Sequence, residues 1–454
     1  MFNFEPRNFL WTVAKSFANL SLAIIILFVI ILFSVIGSVI EQNQDISYYQ
    51  VNYPMISSKL IDINWKIITN LGIDHIFQTW WFITVLLLFI FSLASCSFVT
   101  QLPSLRNARR WKFVSKPITI RNQFSFQNND FIQDNCLTNL IYSLLDANFF
   151  VFYQGYSVYS YKGLYGRVAP IFVHLSIITI LIGSMLSSLF SFVAQELVPN
   201  GEIFHIKNII YSGFFSRLPL DLFTKVENFS IKYNFDDSIQ QFFSEISFFS
   251  SNRIGLSKES LAVNYPIKFH GITIYQTDWE LNALRLNFGL ETELQKKILK
   301  MSIGNKNFWL SNLYITNDKQ LFFLIFNLQD SILICNSNGL VIGKVPVGQV
   351  FYIDNIPFMI KDIITSTGLQ LKMDLGVRLV YLGFFVLMLS SILSYLSYSQ
   401  VWIYKNFNSL EFIASTNRAN LFFEEDISLI SNNYQFYCDF DICKYFHCTE
   451  KVLK

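Results

Sequence analysis

Five histidines and six cysteines are the side chains of this sequence best suited to hold a metal ion or a cofactor. His174 has the most unusual setting. It sits in the apolar run VAPIFVHLSIITILIGSMLSSLFSFVA, about 10 Å in from Arg167 by helical rise. An ionisable side chain at bilayer depth is expensive and marks a functional site by default. Neutral imidazole is also a usual axial ligand of haem iron. The alternative is a histidine hydrogen-bonded to a neighbouring helix, and the residues alone leave both open. His75 stands five residues ahead of the Trp80-Trp81 pair, as a second, weaker ligand candidate or as a solvated interfacial histidine. His205 and His270 read as surface or packing residues. His447 lies among Cys438, Cys443 and Cys448, but a helix turns ~100° per residue, so cysteines five apart fall on different faces. No zinc-ligand spacing fits, and this stretch reads as a free, reduced tail.

Most catalytic motifs are missing. The sequence has no Gly-rich phosphate loop, no GxSxG elbow, no HExxH and no CxxCH haem-attachment site. No pair of carboxylates lies inside an apolar run, which gives no basis for a proton relay. Six scattered cysteines supply neither a disulfide framework nor a zinc ribbon. No catalytic residue and no metal-ion site is expected.

The elements that must position the histidines follow from composition. Of 454 residues, 52% are hydrophobic and 15% charged, and mean hydropathy is +0.38. A soluble domain carries roughly 25% charged residues, so this is a membrane protein. A net charge of +2 leaves no nucleic-acid footprint. Four windows reach the roughly 20 apolar residues that a bilayer-spanning helix needs: 19–40, 80–100, 168–194 and 376–399. They divide the rest into an N-terminus (1–18), a loop (41–79), a basic loop (101–167), a large segment (195–375) and a C-terminal tail (400–454). The 101–167 loop carries eight Lys/Arg against three acids, whereas the 41–79 loop carries two Lys against four acids. The positive-inside rule then puts both termini and the basic loop on the cytoplasm-like side and the large segment on the opposite side.

That large segment is predicted to be a β-rich domain, a sandwich or barrel. Its apolar residues fall in short strand-like runs at 229–234, 271–279 and 321–328. In SILICNSNGLVIGKV, two apolar runs flank Asn336-Ser337-Asn338-Gly339, a hairpin turn signal. A smaller hairpin is expected at 148–162, turning at Gly155 just before the third window. The fold class is thus four transmembrane helices with a β-rich domain between helices 3 and 4.

Several patches carry a family resemblance. LGIDHIFQTWWFITVLLLFIFSLASCSFVTQLPSLRNARRWK resembles the second-span region of the ResB/CcsB family, membrane proteins of cytochrome c biogenesis by system II. GRVAPIFVHLSIITILIG resembles that family's third span, with His174 at its haem-associated position. NYPIKFHGITIYQTDW resembles an NxPL…G…YQTDW segment, and DLGVRLVYLGFFVLMLSSILSYLSYSQVW the last span. The order and topology agree along essentially the whole chain, and the plastid and cyanobacterial branch fits best. The Cys-containing stretch beyond Trp402 departs from the family pattern.

The resemblance implies a thylakoid membrane protein of the chloroplast, with the large domain in the lumen and both termini in the stroma. It implies a CcsA/ResC-type partner, with which the chain delivers haem and attaches it to apocytochromes c. It also implies a separate thiol-reducing protein and a non-catalytic or co-catalytic place in the haem-attachment complex. Haem is expected to be transient and shared with the partner. His174 is its axial-ligand candidate and His75 the weaker one. The two should lie about 15–25 Å apart across a ~30 Å hydrocarbon core, so a second ligand to haem at His174 must come from outside this chain. Gly183, Ser184, Ser187 and Ser188 would let a partner helix approach span three. The competing reading is a non-haem assembly factor or receptor whose β domain docks a partner while His174 only packs.

Overall fold

The computed structural model describes residues 6–55, 64–111, 113, 136–219, 222–235, 238–250, 253–289, 292–303, 306–316, 319–328, 331–353, 356–405, 410–417 and 420–439. Four of its helices are long and apolar enough to cross a membrane: Leu20–Val39, Trp80–Ala108, Tyr165–Phe190 and Val377–Ser394, here spans one to four. Large apolar side chains such as Ile24, Phe28, Tyr381 and Met388 stand exposed on them. That is the surface lipid would cover, because lipid tails are as apolar as leucine and give helices no reason to hide such side chains.

Several bounds differ from those read off hydropathy, among them the end of span four, at Ser394 rather than Ser399. Span two continues to Ala108 rather than ending near Thr100. Span three ends at Phe190, and the next residues form strand Phe192–Pro199 instead of prolonging the helix. The reason is periodicity. Phe192, Ala194, Glu196 and Val198 are buried alternately along that strand, a period of two that hydropathy averaging hides.

The chain divides into two compact units. The first comprises residues 1–185 and 377–454. Besides the spans it holds a four-stranded antiparallel sheet, ordered Phe150–Gln154, Ser157–Lys162, Ser399–Lys405 and Leu410–Thr416. The expected hairpin is there, turning at Gly155 with φ +59°. Its second strand pairs with Ser399–Lys405, so the chain entering span three is bonded to the chain leaving span four. Helices Leu137–Asp146 and Asn420–Asp439 add Leu140, Leu144, Phe423 and Ile430 to a core shared with Val158 and Ile403. Of the stretch read as a free tail, Cys438 lies in the folded helix Asn420–Asp439. Cys96, Cys335 and Cys438 are free thiols, and Cys136 is disulfide-bonded. Cys443, His447 and Cys448 lie outside the described residues.

The second unit, residues 186–376, is built of strands. Seven-, five- and four-stranded antiparallel sheets enclose two apolar cores, one around Leu284, Phe323 and Ile360, the other around Ile246, Phe248 and Leu371. Each strand run read from sequence overlaps a strand here, although Gly271 lies before its strand and Phe326–Leu328 lie beyond theirs. The Asn336–Gly339 turn joins Ile332–Asn336 to Val341–Val345, with Gly339 at φ +77°.

Candidate functional site around His174

Pro103 shapes the site. A proline inside a helix donates no hydrogen bond and clashes with the carbonyl four residues earlier, so the regular helix Trp80–Cys96 cannot run on unchanged. The chain answers with one π-helical turn, Ser97–Gln101, in which the Leu102 N–H bonds to the Ser97 carbonyl, before helix Leu102–Ala108 resumes. Single π turns inside α-helices recur at functional sites. The two ends of this one, Ser97 and Gln101, both meet His174.

The ring of His174 is held at both nitrogens. Nδ1 lies 3.1 Å from Ser97 Oγ, and Nε2 lies 3.2 Å from Gln101 Nε2. The Ser97 hydroxyl spends its only hydrogen on the Leu93 carbonyl at 3.0 Å. Its oxygen can therefore only accept from the ring, which assigns the proton to Nδ1. Nε2 then carries the lone pair and accepts from the Gln101 amide. That lone pair is the one a neutral imidazole offers to a metal. The remaining Gln101 atom, Oε1, is buried with no hydrogen-bond partner.

A second network fixes the end of span two against the start of span three. Arg167 Nη1 donates to Ser104 Oγ at 2.9 Å, and its guanidinium lies 5.1 Å from the Tyr398 ring centroid. The Tyr398 hydroxyl donates to the Ala108 carbonyl at 3.0 Å. Gln400 Nε2 donates to the hydroxyls of Tyr159 and Tyr398 at 2.6 and 2.7 Å. Burial, then the hydrogen bond with Tyr159, push the Tyr398 phenol far above the usual tyrosine range, so it stays a donor. Seven residues before His174, Arg167 thus sets the axial register of span three on span two.

Span four packs on another face of span three. A Cβ on Gly383 would lie 2.6 Å from Ile180 Cγ1 and 3.1 Å from the Ser176 carbonyl oxygen. Ser176 is two residues, or about 200°, round the helix from His174. The His174 face meets span two and the Ser176 face meets span four.

His75 sits elsewhere. It lies in the 3-10 turn Ile73–Gln78, 44% exposed, with Nδ1 2.9 Å from Asp74 Oδ1. Thr79 caps the start of span two, and Ser97 at His174 is eighteen residues on, about 27 Å by helical rise. The structure does not bring the two histidines together: His75 precedes the start of span two, whereas His174 meets the π turn Ser97–Gln101. His205 and His270 are exposed in the second unit. Of the small residues expected to admit a partner helix, Gly183 is already buried, while Ser187 donates to Asp374 Oδ1 at 2.6 Å. Ser184 remains exposed. Ser97, Gln101, Arg167 and Tyr398 were not singled out from sequence. The readable signal for the first two was Pro103, which marks irregular helix just upstream.

Comparison with known proteins bears on the whole chain. Residues 20–351 match the model of the ResB-like family. The cytochrome c biogenesis protein Ccs1 of Gracilaria tenuistipitata var. liui is 43% identical over 434 residues, covering 95% of this chain and 99% of that protein. Ccs1 of Porphyra purpurea is 43% identical over 430 residues, covering 94% and 98%. Ccs1 of Thalassiosira pseudonana is 39% identical over 415 residues, covering 90% and 97%.

Proposed function

Since this chain belongs to the ResB-like family and its role is in c-type cytochrome biogenesis, we propose that His174 is an axial ligand to haem in transit. Haem is cargo here, not a resident cofactor. The observation that carries the reading is a single-tautomer imidazole within span three, its Nε2 lone pair hydrogen-bonded to the Gln101 side chain. Ser97 holds the proton on Nδ1, as the outer partners of ligating histidines do. Gln101 is the resting occupant of the lone pair and swings aside when haem arrives.

The chain works in the thylakoid membrane with a CcsA/ResC-type partner. The excess of Lys/Arg at 101–167 supports stromal termini and a lumenal β-rich unit. Haem attachment to apocytochromes c then occurs in the lumen, with reduced thiols supplied by a separate protein. The chain is a non-catalytic or co-catalytic subunit, and His75 meets haem only later, near the lumenal exit.

The test is the absorption spectrum of the complex purified with its partner. A low-spin, six-coordinate haem is expected, losing one ligand in His174→Ala, with imidazole restoring it in His174→Gly. Normal cytochrome c levels in a His174→Ala strain would refute the ligand role. A second reading, a non-haem assembly factor, draws on the same ring, because both nitrogens already have partners. A partnered complex without a Soret band would decide for it.

A further inference from the structure

The YQTDW run at 275–279 takes no part in the reading above, yet it has a distinctive setting. It lies in strand Ile272–Phe288, whose pairing with strand Ile356–Met373 slips between Gln276 and Asp278. Bulges of this kind re-aim side chains. Gln276 turns inward, donating to Ser244 Oγ at 2.8 Å and to Thr367 Oγ1 at 3.2 Å. Asp278, Trp279 and Glu280 instead line a cleft of about 870 Å³, to which strands of all three sheets of the β-rich unit contribute. That volume lies within the range of sites for small ligands and short peptides.

One wall of the cleft is aromatic. The Trp279 and Trp309 ring centroids are 5.2 Å apart, and Trp279 stacks on Phe229 at 6.2 Å. Trp309 is 8% exposed, and its Nε1–H has no hydrogen-bond partner among the described residues. A buried donor without an acceptor is unfavourable.

The charge of the lining is acidic. Glu196 is committed to its own scaffold, accepting from the Lys207 and Asn208 backbone N–H groups at 2.5 and 2.7 Å. Asp278 and Glu280 form no ion pair among the described residues, against the single cation of Lys300. Two unpaired carboxylates beside a tryptophan face suit a cationic side chain, held by charge and by the ring quadrupole.

We propose that this cleft binds an extended peptide segment through a basic side chain seated on Trp279 between Asp278 and Glu280. A peptide segment supplies the cation for the carboxylates and is of a size to fill a cleft of this volume. The proposal is independent of haem at His174.

The test uses the full-length protein in detergent micelles. The probe is a fluorescein-labelled, amidated nonapeptide of alternating serine and lysine, followed by anisotropy beside its serine–glutamate counterpart. The lysine peptide should bind, and more weakly as salt rises. The double variant Asp278→Asn/Glu280→Gln should bind it about tenfold more weakly. Lys300→Gln should bind it about twofold more tightly, a gain that misfolding cannot produce. Equal binding of the two peptides, or no change in either variant, would overturn the proposal. Free lysine amide competing as well as the peptide would overturn its peptide part.

Discussion

His174 shows how one ring can carry two opposite mutational signs. In the proposed ligand role of His174, Ser97 supports the tautomer with a free Nε2 lone pair, whereas Gln101 competes for that lone pair. Ser97→Ala should therefore lower haem occupancy of the partnered complex, by about 10–100-fold, the usual effect of losing an outer partner of a ligating histidine. Gln101→Leu should raise occupancy about threefold to tenfold, because the hydrogen bond that must break is gone. Haem titration followed at the Soret band measures both. If the two substitutions move occupancy in the same direction, the latch role of Gln101 is wrong even if His174 binds haem. His174 was legible in the sequence because a histidine among apolar residues is conspicuous. Its partners were not, since Ser97 and Gln101 are ordinary residues at a helix end. Only the π turn ahead of Pro103 brings both to the ring.

Among the elements, spans three and four illustrate what close backbone approach demands. At Gly383 any side chain would begin 2.6 Å from Ile180 Cγ1 and 3.0 Å from the Ile180 backbone nitrogen, and backbone cannot yield as a flexible side-chain tip does. At Gly166 an added Cβ would overlap the Leu396 carbonyl oxygen at 2.0 Å. Gly383→Val should thus separate the two helices at the level of Ser176 and destabilise the protein by about 1–3 kcal/mol, as overpacking does. A lowered thermal midpoint in detergent checks this, and an unchanged midpoint would contradict the packing. The hairpin at 148–162 was readable because both strands and the Gly155 turn are contiguous. Its pairing with Ser399–Lys405 was not, because the partner strand comes after two spans and the whole β-rich unit. Hydropathy finds helices in this chain, but sheet registry between distant segments leaves no local trace.

For the whole molecule, composition announced four spans and a β-rich unit, while sidedness rested on loop charge alone. A protease site inserted at Asn338 should be cut only from the lumen, and cutting from the stroma would invert the scheme. The same architecture limits what the chain does with haem by itself. Two histidines sharing one iron need nitrogens about 4 Å apart, since each metal–nitrogen bond is about 2 Å. His174 contacts Ser97 and Gln101 at one end of span two, and His75 precedes its other end. Eighteen residues of helix between Thr79 and Ser97 amount to about 27 Å, well beyond any side-chain adjustment. Releasing Gln101 frees one coordination position and no more. On the proposed role of His174, the second ligand comes from another chain, and Ser184 on span three is exposed. The protein purified alone with added haem should accordingly give at most a five-coordinate spectrum that depends on His174. Adding the membrane partner should convert it to a low-spin, six-coordinate form. A bis-histidine spectrum from the isolated chain that disappears in both His174→Ala and His75→Ala would show that the two histidines meet, and would overturn the helix register on which this prediction rests.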